Sequence, residues 1–266
     1  MRGVAICTDS SALFPVGVAE RLGVSVVPIA IAFDGDTFDE HAQEIDDFYA
    51  LLCDGATATT AQPSPGAFLD AYSAAAAAGA REVLSIHLDA RVSATVASAE
   101  LAADEASIPV TVVDSGTVSF GVGVCVRAAA KAVAAGASAQ EAVTVVRRLG
   151  SELRNVFVAR GGARGRVPDE SEWAMLEFAD GKTSVREACA TVDEAVVGMA
   201  RRVPPEEPVW AAVGHAADAM RPAADTLAGL LASSPRIINV ERYRVGAAVG
   251  AHTGPLSFGA FWWPSE

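Results

Sequence analysis

Residues 85–100 have the sequence Ser85-Ile-His-Leu-Asp-Ala-Arg-Val-Ser-Ala-Thr-Val-Ala-Ser-Ala-Glu100. The apolar run Val83–Leu88 predicts a buried strand, a polar hinge follows it, and a small-residue helix is predicted to open near Ser93. The first turn of a helix has backbone N–H groups without partners and a partial positive charge. The Ser93 and Thr95 hydroxyls add donors there, so the pattern fits an anion site. For this stretch taken alone, a simple N-cap serine is the favoured explanation, because caps far outnumber anion sites, and the anion site stays open as the alternative.

The bulk composition limits the class of protein. A chain of 266 residues permits one large domain or two modest ones. Hydrophobic residues make up 51% and aromatic residues only 6%, so small side chains must build most of the core. The net charge is −13, with 33 acidic and 20 basic residues. This balance argues against nucleic acid and against an anionic membrane surface as the main partner.

Cysteine and histidine spacing gives no sign of a metal or redox site. The chain lacks a Cys-x-x-Cys pair, and no two of its four histidines have the spacing of ligands on one helix face. We therefore predict core thiols, no metal and no cofactor. The first apolar run is too short for a signal peptide, and Arg127 and Lys131 interrupt a later one. A cytoplasmic protein without an integral membrane segment is the expectation.

Strands and helices alternate over the first 150 residues. Apolar patterns predict strands at Val4–Cys7, Val24–Phe33, Val83–Leu88 and Val110–Val113. Helical patterns occupy Pro15–Leu22, Ile45–Cys53, Gly66–Ala78, Val122–Ala135 and the segment from the capping Ser138 to Leu149, with a loop at Thr57–Pro65. Such alternation predicts a parallel sheet covered on both faces, with ligands beyond the carboxyl ends of its strands.

The composition shifts after Gly150, and two α/β domains are predicted, at residues 1–153 and 154–266. In the second domain we expect strands at 156–159, 209–214 and 237–240 and a helix at 222–232. We also expect a helix over Val185–Met199 and a further strand at Val245–Val249. An apolar, aromatic tail ends the chain.

Several polar groups are candidates for a site. Asp9-Ser10-Ser11 follows the first strand, where a strand-end turn with helix capping is favoured over a nucleophile, since no Gly-x-Ser-x-Gly elbow exists. His87, inside an apolar strand, indicates a core histidine, and His215 ends a strand, where a structural hydrogen bond is at least as reasonable as a site. Because Gly254 follows it closely, His252 is expected on a rigid loop that delivers an imidazole to an anion.

Three arginines, Arg160, Arg164 and Arg166, lie among glycines. A solvated basic turn explains them. The alternative is that the glycines allow close backbone approach while arginine meets a carboxylate or a phosphate.

A series of short motifs, in order along nearly the whole chain, resembles the DegV family. The matching stretches are Ile6–Ser10, Val26–Ile29 with Phe33–Gly35, Thr60–Ser64, Val92–Thr95, Val113–Ser115 followed by Gly121, Arg164–Val167, Asp180–Lys182 and His252–Pro255. The chain departs from the family pattern at Ala61, where serine is usual, at Ala94, where glycine is usual, and at Arg164, where glycine is expected.

The resemblance implies a function as well as a fold. It implies an N-terminal three-layer parallel-sheet domain and a C-terminal α/β domain with a mixed sheet, which hold one long-chain fatty acid in a tunnel between them. Related proteins are lipid-binding subunits that present the acyl carboxylate to a separate ATP-dependent fatty-acid kinase. By resemblance, Thr60, Ser93 and His252 hold the carboxylate, and Arg166 lies near the mouth or contacts a partner.

Two alternatives to a fatty-acid carrier stay open. One is a stand-alone acyl hydrolase or transferase that uses Ser93 or Ser10, with His252 as its base. No acidic group that would orient His252 is evident in the sequence, so the carrier without catalytic machinery is favoured. The other is a carrier of a different amphiphile.

Overall fold

A computed structural model of the protein describes residues 3–38, 44–160, 173–203 and 207–265. Its strands are β1 Val4–Asp9, β2 Val24–Val27, β3 Ala30–Phe33, β4 Asp36–Phe38, β5 Ala58–Ala61, β6 Glu82–His87, β7 Val110–Asp114, β8 Arg154–Arg160, β9 Trp173–Ala179, β10 Lys182–Cys189, β11 Val209–His215, β12 Ile237–Arg244 and β13 Ser257–Pro264. Its helices are α1 Val18–Leu22, α2 Ile45–Cys53, α3 Pro65–Ala77, α4 Thr95–Asp104, α5 Phe120–Ala134, α6 Ala139–Glu152, α7 Val192–Ala200, α8 Arg221–Ala232 and α9 Ala247–Thr253.

The chain forms two compact units, and each unit contains two segments. The first unit comprises Met1–Ala30 with Ala61–Ser151, and the second comprises Ile31–Thr60 with Glu152–Glu266. The sequence predicts domains at 1–153 and 154–266, which places residues 31–60 in the first domain. In the structure these residues belong to the second unit. That assignment follows from packing, because α2 lies against α9.

The first unit has a four-stranded parallel sheet in the order β2-β1-β6-β7. On one face Cys7, Val27 and Val83 pack with Phe68 and Tyr72 of α3 and with the small residues of α4. Helix α5 also packs against β1 and β6. These contacts explain the near-continuous apolar runs, because a strand covered by helices has no solvent face to fill with polar residues.

The predicted strand Val24–Phe33 is two strands in different sheets. Pro28 lies in the break between β2, which pairs with β1, and β3, which is the central strand of a small sheet in the order β4-β3-β5. A proline has no N–H to continue a ladder, so the chain changes sheets there. Strand β5 corrects the predicted loop at Thr57–Pro65, since pairing with β3 imposes a strand on a turn-like composition.

The second unit has a six-stranded mixed sheet in the order β10-β9-β8-β13-β11-β12. Only β11 and β12 pair in parallel, and the other neighbours are antiparallel. The apolar tail is the central strand β13, whose Phe258 and Trp262 are buried together with Leu227 of α8. The parallel sheet and the separate mixed sheet confirm the predicted α/β class.

Two predicted elements of the second unit are wrong. The helix over Val185–Met199 begins only at Val192, because residues 182–189 form β10, which pairs with β9 after a turn in which Asp180 and Gly181 both have positive φ. No strand forms at Val245–Val249, because Gly246 is the N-cap of α9 and the helix begins at Ala247. Most of β10 is exposed, so its side chains show little strand periodicity.

Candidate functional site

A hydrogen bond joins two of the residues that the family resemblance assigns to the carboxylate. Thr60, on β5, and His252, in the last turn of α9, both belong to the second unit, and Thr60 Oγ1 lies 2.9 Å from His252 Nε2. The predicted rigid loop at His252 is wrong, because the residue is helical. The helix ends at Thr253, and its C-cap Gly254 has a φ of +78°. His252 is exposed and Thr60 is half-buried, so both side chains are within reach of a ligand.

The chemistry of this pair fits an anion. A threonine hydroxyl carries one donor hydrogen, and a neutral imidazole carries one donor and one acceptor nitrogen. In the present hydrogen bond one group donates to the other. An incoming carboxylate can accept a hydrogen bond from either group. A charge-assisted hydrogen bond to the ligand would then replace the neutral bond between the two side chains.

Ser93 belongs to the first unit and lies just before α4. The helix begins at Thr95, two residues later than predicted, and Ala94 occupies the N-cap position with an ordinary φ of −80°. Ser93 Oγ lies 2.8 Å from Thr95 Oγ1 and accepts from the Thr95 N–H at 3.3 Å. An alanine therefore fits at position 94 without backbone strain. The Ser93 side chain lies at a helix N-terminus, as the sequence indicates.

A surface cavity of about 560 Å³ lies beside Ser93, lined by residues 90–94, 96, 97 and 100. Its volume is within the range of small-molecule pockets. Alanine, serine and valine supply six of its eight lining residues. The cavity places Ser93 in a concave part of the first unit.

An ion pair between the buried Asp89 and the half-exposed Arg91 fixes the loop that precedes Ser93. The Asp89 side chain is fully buried and accepts hydrogen bonds from the Arg91 backbone N–H at 2.8 Å and from Arg91 Nε at 2.9 Å. Burial by itself would raise the pKa of the Asp89 carboxyl, but the hydrogen bonds from Arg91 outweigh it and hold that pKa below its usual value. The Val92 N–H also bonds to the Asp89 carbonyl at 3.1 Å.

Asp9 and the two serines after it make internal hydrogen bonds. The Asp9 carboxylate accepts from the Ser11 N–H at 3.0 Å and from the Ser11 hydroxyl, while Ser10 Oγ accepts from the Ile29 N–H at 3.0 Å. The predicted strand-end turn with capping is thus confirmed.

His87 is a core histidine, as predicted, within a chain of buried hydrogen bonds. His87 Nδ1 lies 2.9 Å from Asp9 Oδ2, His87 Nε2 lies 2.7 Å from Ser85 Oγ, and Ser85 Oγ lies 2.9 Å from the Tyr72 hydroxyl. The order Asp–His–Ser is that of a hydrolase triad, but Ser85 and His87 are 0% exposed. A substrate cannot reach this serine, so the chain of bonds stabilises the core. The sequence did not indicate Ser85 or Tyr72 as partners of His87.

His215 ends β11, where the sequence leaves a structural hydrogen bond and a site as alternatives. Both ring nitrogens are buried and, within the described residues, have no hydrogen-bond partner. The Asp218 carboxylate is 3.8 Å from Nε2. Burial, followed by the positive charges of Arg244 and Arg242, lowers the pKa of His215, so the ring is neutral at pH 7.

The remaining candidates are outside the site or outside the described residues. Arg164 and Arg166 lie outside the described residues, and Arg160, at the end of β8, has its guanidinium 5.9 Å from the Trp173 ring centroid. Within the described ranges, no group of three or more His, Cys, Asp or Glu side chains is arranged to hold a metal ion. The same residues contain no helix whose length and apolarity would let it cross a membrane.

Sequence comparison places the chain among known relatives. A family model described as an uncharacterised protein of the DegV family matches residues 3–160. A DegV domain-containing protein of Streptomyces coelicolor is 33% identical over 272 residues, which cover 96% of each chain.

Solved structures are similar over the full length. A DegV family protein of Thermus thermophilus, described as fatty-acid binding, superposes with a TM-score of 0.88 and 27% identity, and the match covers 100% of both chains. DegV of Bacillus subtilis gives a TM-score of 0.85 at 24% identity over the whole of both chains, which supports the fold alone. Because the family model matches more than half of the chain and a relative matches it over nearly its full length, this chain belongs to the DegV family.

Proposed function

We propose that this protein binds one long-chain fatty acid and holds its carboxylate with Thr60, Ser93 and His252. The observation that carries the proposal is the hydrogen bond between Thr60 and His252, two residues that the family motifs assign to the head group. The fatty-acid binding described for the Thermus relative supports the choice of ligand. The helix N-terminus beside Ser93 is favourable for the same negative charge.

Head and tail of the ligand contribute differently to affinity. Each methylene transferred from water to an apolar tunnel stabilises the complex by about 0.8 kcal/mol, so the tail supplies most of the binding free energy. A hydrogen bond to a charged acceptor contributes about 1.5–3 kcal/mol and defines which end of the ligand is held. The proposal therefore assigns affinity to the tail and orientation to the three polar side chains.

The protein acts in this proposal as a carrier and not as an enzyme. A separate ATP-dependent kinase would transfer the γ-phosphoryl group of ATP to a carboxylate oxygen, forming an acyl phosphate and ADP. Arg166 is assigned to the mouth of the site or to the contact with that kinase. The proposal needs no cofactor and places the protein in the cytoplasm.

Native mass spectrometry of the purified protein tests the ligand. We expect a species heavier than the chain by one fatty acid, and a free fatty acid in the extract of the denatured protein. A lipid-free protein that also fails to take up added oleate would contradict the proposal. Hydrolysis of an acyl ester by the purified protein, with loss of activity in His252→Ala, would instead identify the hydrolase alternative.

A further inference from the structure

Helix α2 is tied to the start of α9, the helix that carries His252. The Tyr49 hydroxyl donates a hydrogen bond to the Val245 carbonyl at 2.8 Å, and Val245 directly precedes Gly246, the N-cap of α9. Tyr49 is 2% exposed, so this bond is shielded from water. The bond fixes the position at which the chain enters α9.

The same tyrosine also contacts the middle of α9. A Cβ atom at Gly250 would lie 2.6 Å from the Tyr49 hydroxyl oxygen and 3.0 Å from Phe48 Cε1. A side chain at position 250 would therefore force the Tyr49 ring to move, and glycine lets the α9 backbone lie directly on the two rings without such a shift. His252 follows two residues later on the same helix.

Arg244, the last residue of β12, forms a second connection to α2. Its guanidinium donates to the Asp46 carboxylate on α2 and to Asp218 Oδ1 at 2.8 Å. The guanidinium carbon also lies 5.5 Å from the centroid of the Tyr49 ring. These contacts hold Tyr49 against the segment that leads into α9.

Helix α2 also contacts the small sheet that carries Thr60, through Phe48. The Phe48 ring lies 5.3 Å from the Phe33 ring and 5.4 Å from the Phe38 ring, measured between centroids. Phe33 and Phe38 belong to β3 and β4, and β3 pairs with β5. Helix α2 thus contacts both the sheet of Thr60 and the helix of His252.

From this arrangement we infer that Tyr49 is a positioning residue, which sets the Thr60–His252 pair at hydrogen-bonding distance for the carboxylate. The inference rests on the proposed function and adds a specific residue to it. Tyr49 does not touch the ligand itself. Its effect on binding passes through α9 and His252.

Oleate affinities of variants test this route. We expect Tyr49→Phe, which removes only the hydroxyl, to weaken oleate binding about fivefold. In a His252→Ala background the same change should have no further effect, because the group through which Tyr49 acts is gone. Tyr72→Phe is the matched control, since it removes another buried tyrosine hydroxyl, from the first unit, and should leave oleate affinity unchanged.

A second readout separates positioning from general stability. The imidazole NMR signals of His252 in the lipid-free protein should shift in Tyr49→Phe and not in Tyr72→Phe. Wild-type affinity together with unchanged His252 signals would overturn the inference, as would a full additional loss in the His252→Ala background. If the wild type does not bind oleate, the proposed function fails, and the NMR comparison still decides whether Tyr49 positions His252.

A glycine variant tests the close contact directly. Gly250→Ala should weaken oleate binding, and the double variant with Tyr49→Phe should recover part of the loss, because the closest atom has been removed. A double variant no tighter than Gly250→Ala would count against the inference.

Discussion

Thr60 and His252 are separated by 192 positions in the chain, yet their side chains share a hydrogen bond of 2.9 Å. The bond forms because residues 31–60 belong to the same compact unit as the C-terminal part of the chain. In the folded protein α9 also packs against α2, within the same unit. A site built in this way depends on the contacts of α2 as much as on the two polar side chains.

Removal of the Thr60 hydroxyl should weaken fatty-acid binding. Thr60→Val keeps the shape of the side chain and removes one hydrogen-bond donor to a charged head group, so we expect oleate affinity to fall about tenfold. Titration calorimetry with oleate measures the change. Thr59→Val is the control, because the exposed Thr59 hydroxyl bonds to the Ala32 carbonyl at 3.4 Å on the neighbouring strand. Equal affinities for Thr60→Val and wild type would remove Thr60 from the site.

The four cysteines should differ sharply in reactivity. Burial raises the pKa of the Cys7 and Cys125 thiols to about 12, and Cys189 is also buried with a raised pKa. Cys53, on α2, is exposed, so the prediction of a core thiol is wrong for this residue. Because the thiolate is the reactive form, a maleimide at pH 7 should modify Cys53 alone in the native protein and all four thiols after unfolding. Mass spectrometry after tryptic digestion identifies the sites, and rapid labelling of Cys7 would show that the first unit opens readily.

The buried hydrogen bonds around His87 should contribute strongly to stability. Ser85→Ala leaves His87 Nε2 and the Tyr72 hydroxyl without their shared partner inside the core, so we expect the free energy of unfolding to fall by about 1–3 kcal/mol. Urea denaturation measures this difference. Ser151→Ala is a suitable comparison, because Ser151 is exposed on α6. Its replacement should lower the free energy of unfolding by less than about 0.5 kcal/mol. A similar small loss in Ser85→Ala would contradict the role assigned to these bonds.

The Asp89–Arg91 pair should make stability depend on acidic pH. Folding lowers the pKa of Asp89 below its unfolded value, so the pair's contribution is fully present above the unfolded pKa. It is then lost as the pH falls through the lowered, folded-state pKa. Arg91→Met should lower the free energy of unfolding at pH 7. It should also make that free energy depend less on pH in the acidic range. The measurement is urea denaturation from pH 7 down to pH 3, with Arg148→Met on the exposed face of α6 as the control. If the free energy of unfolding of Arg91→Met has the same dependence on acidic pH as that of the wild type, Arg91 does not lower the pKa of Asp89.

Local sequence patterns predict a helix or strand correctly where the residues themselves favour the conformation that tertiary packing also requires. The apolar runs of β6 and β7 and the bounds of α2 are examples, because strand burial and helical periodicity are both visible in the residues themselves. The sequence pattern wrongly assigns part of β10 to a helix, since pairing with β9 determines the strand and most of its side chains are exposed. The same limit applies to α9, whose short, glycine-containing sequence becomes helical where it packs against α2.

The sequence predicts the polar residues of the candidate site but not the residues that support them. Family motifs pointed to Thr60, Ser93 and His252, and the structure places the first and third in one hydrogen bond. Tyr49 and Gly250 carried no motif, so their role emerged only from distances. A buried tyrosine in an amphipathic helix has the same sequence signature whether it fills the core or positions a neighbouring helix.

The most direct test of the proposed function is a comparison of oleate and methyl oleate binding to the lipid-free wild-type protein. The two ligands have the same tail, and only oleate presents a charged carboxylate to the hydroxyl and imidazole groups. We predict one oleate per chain and at least about tenfold weaker binding of the methyl ester. Equal affinities for the two ligands, or no binding of either, would contradict the account.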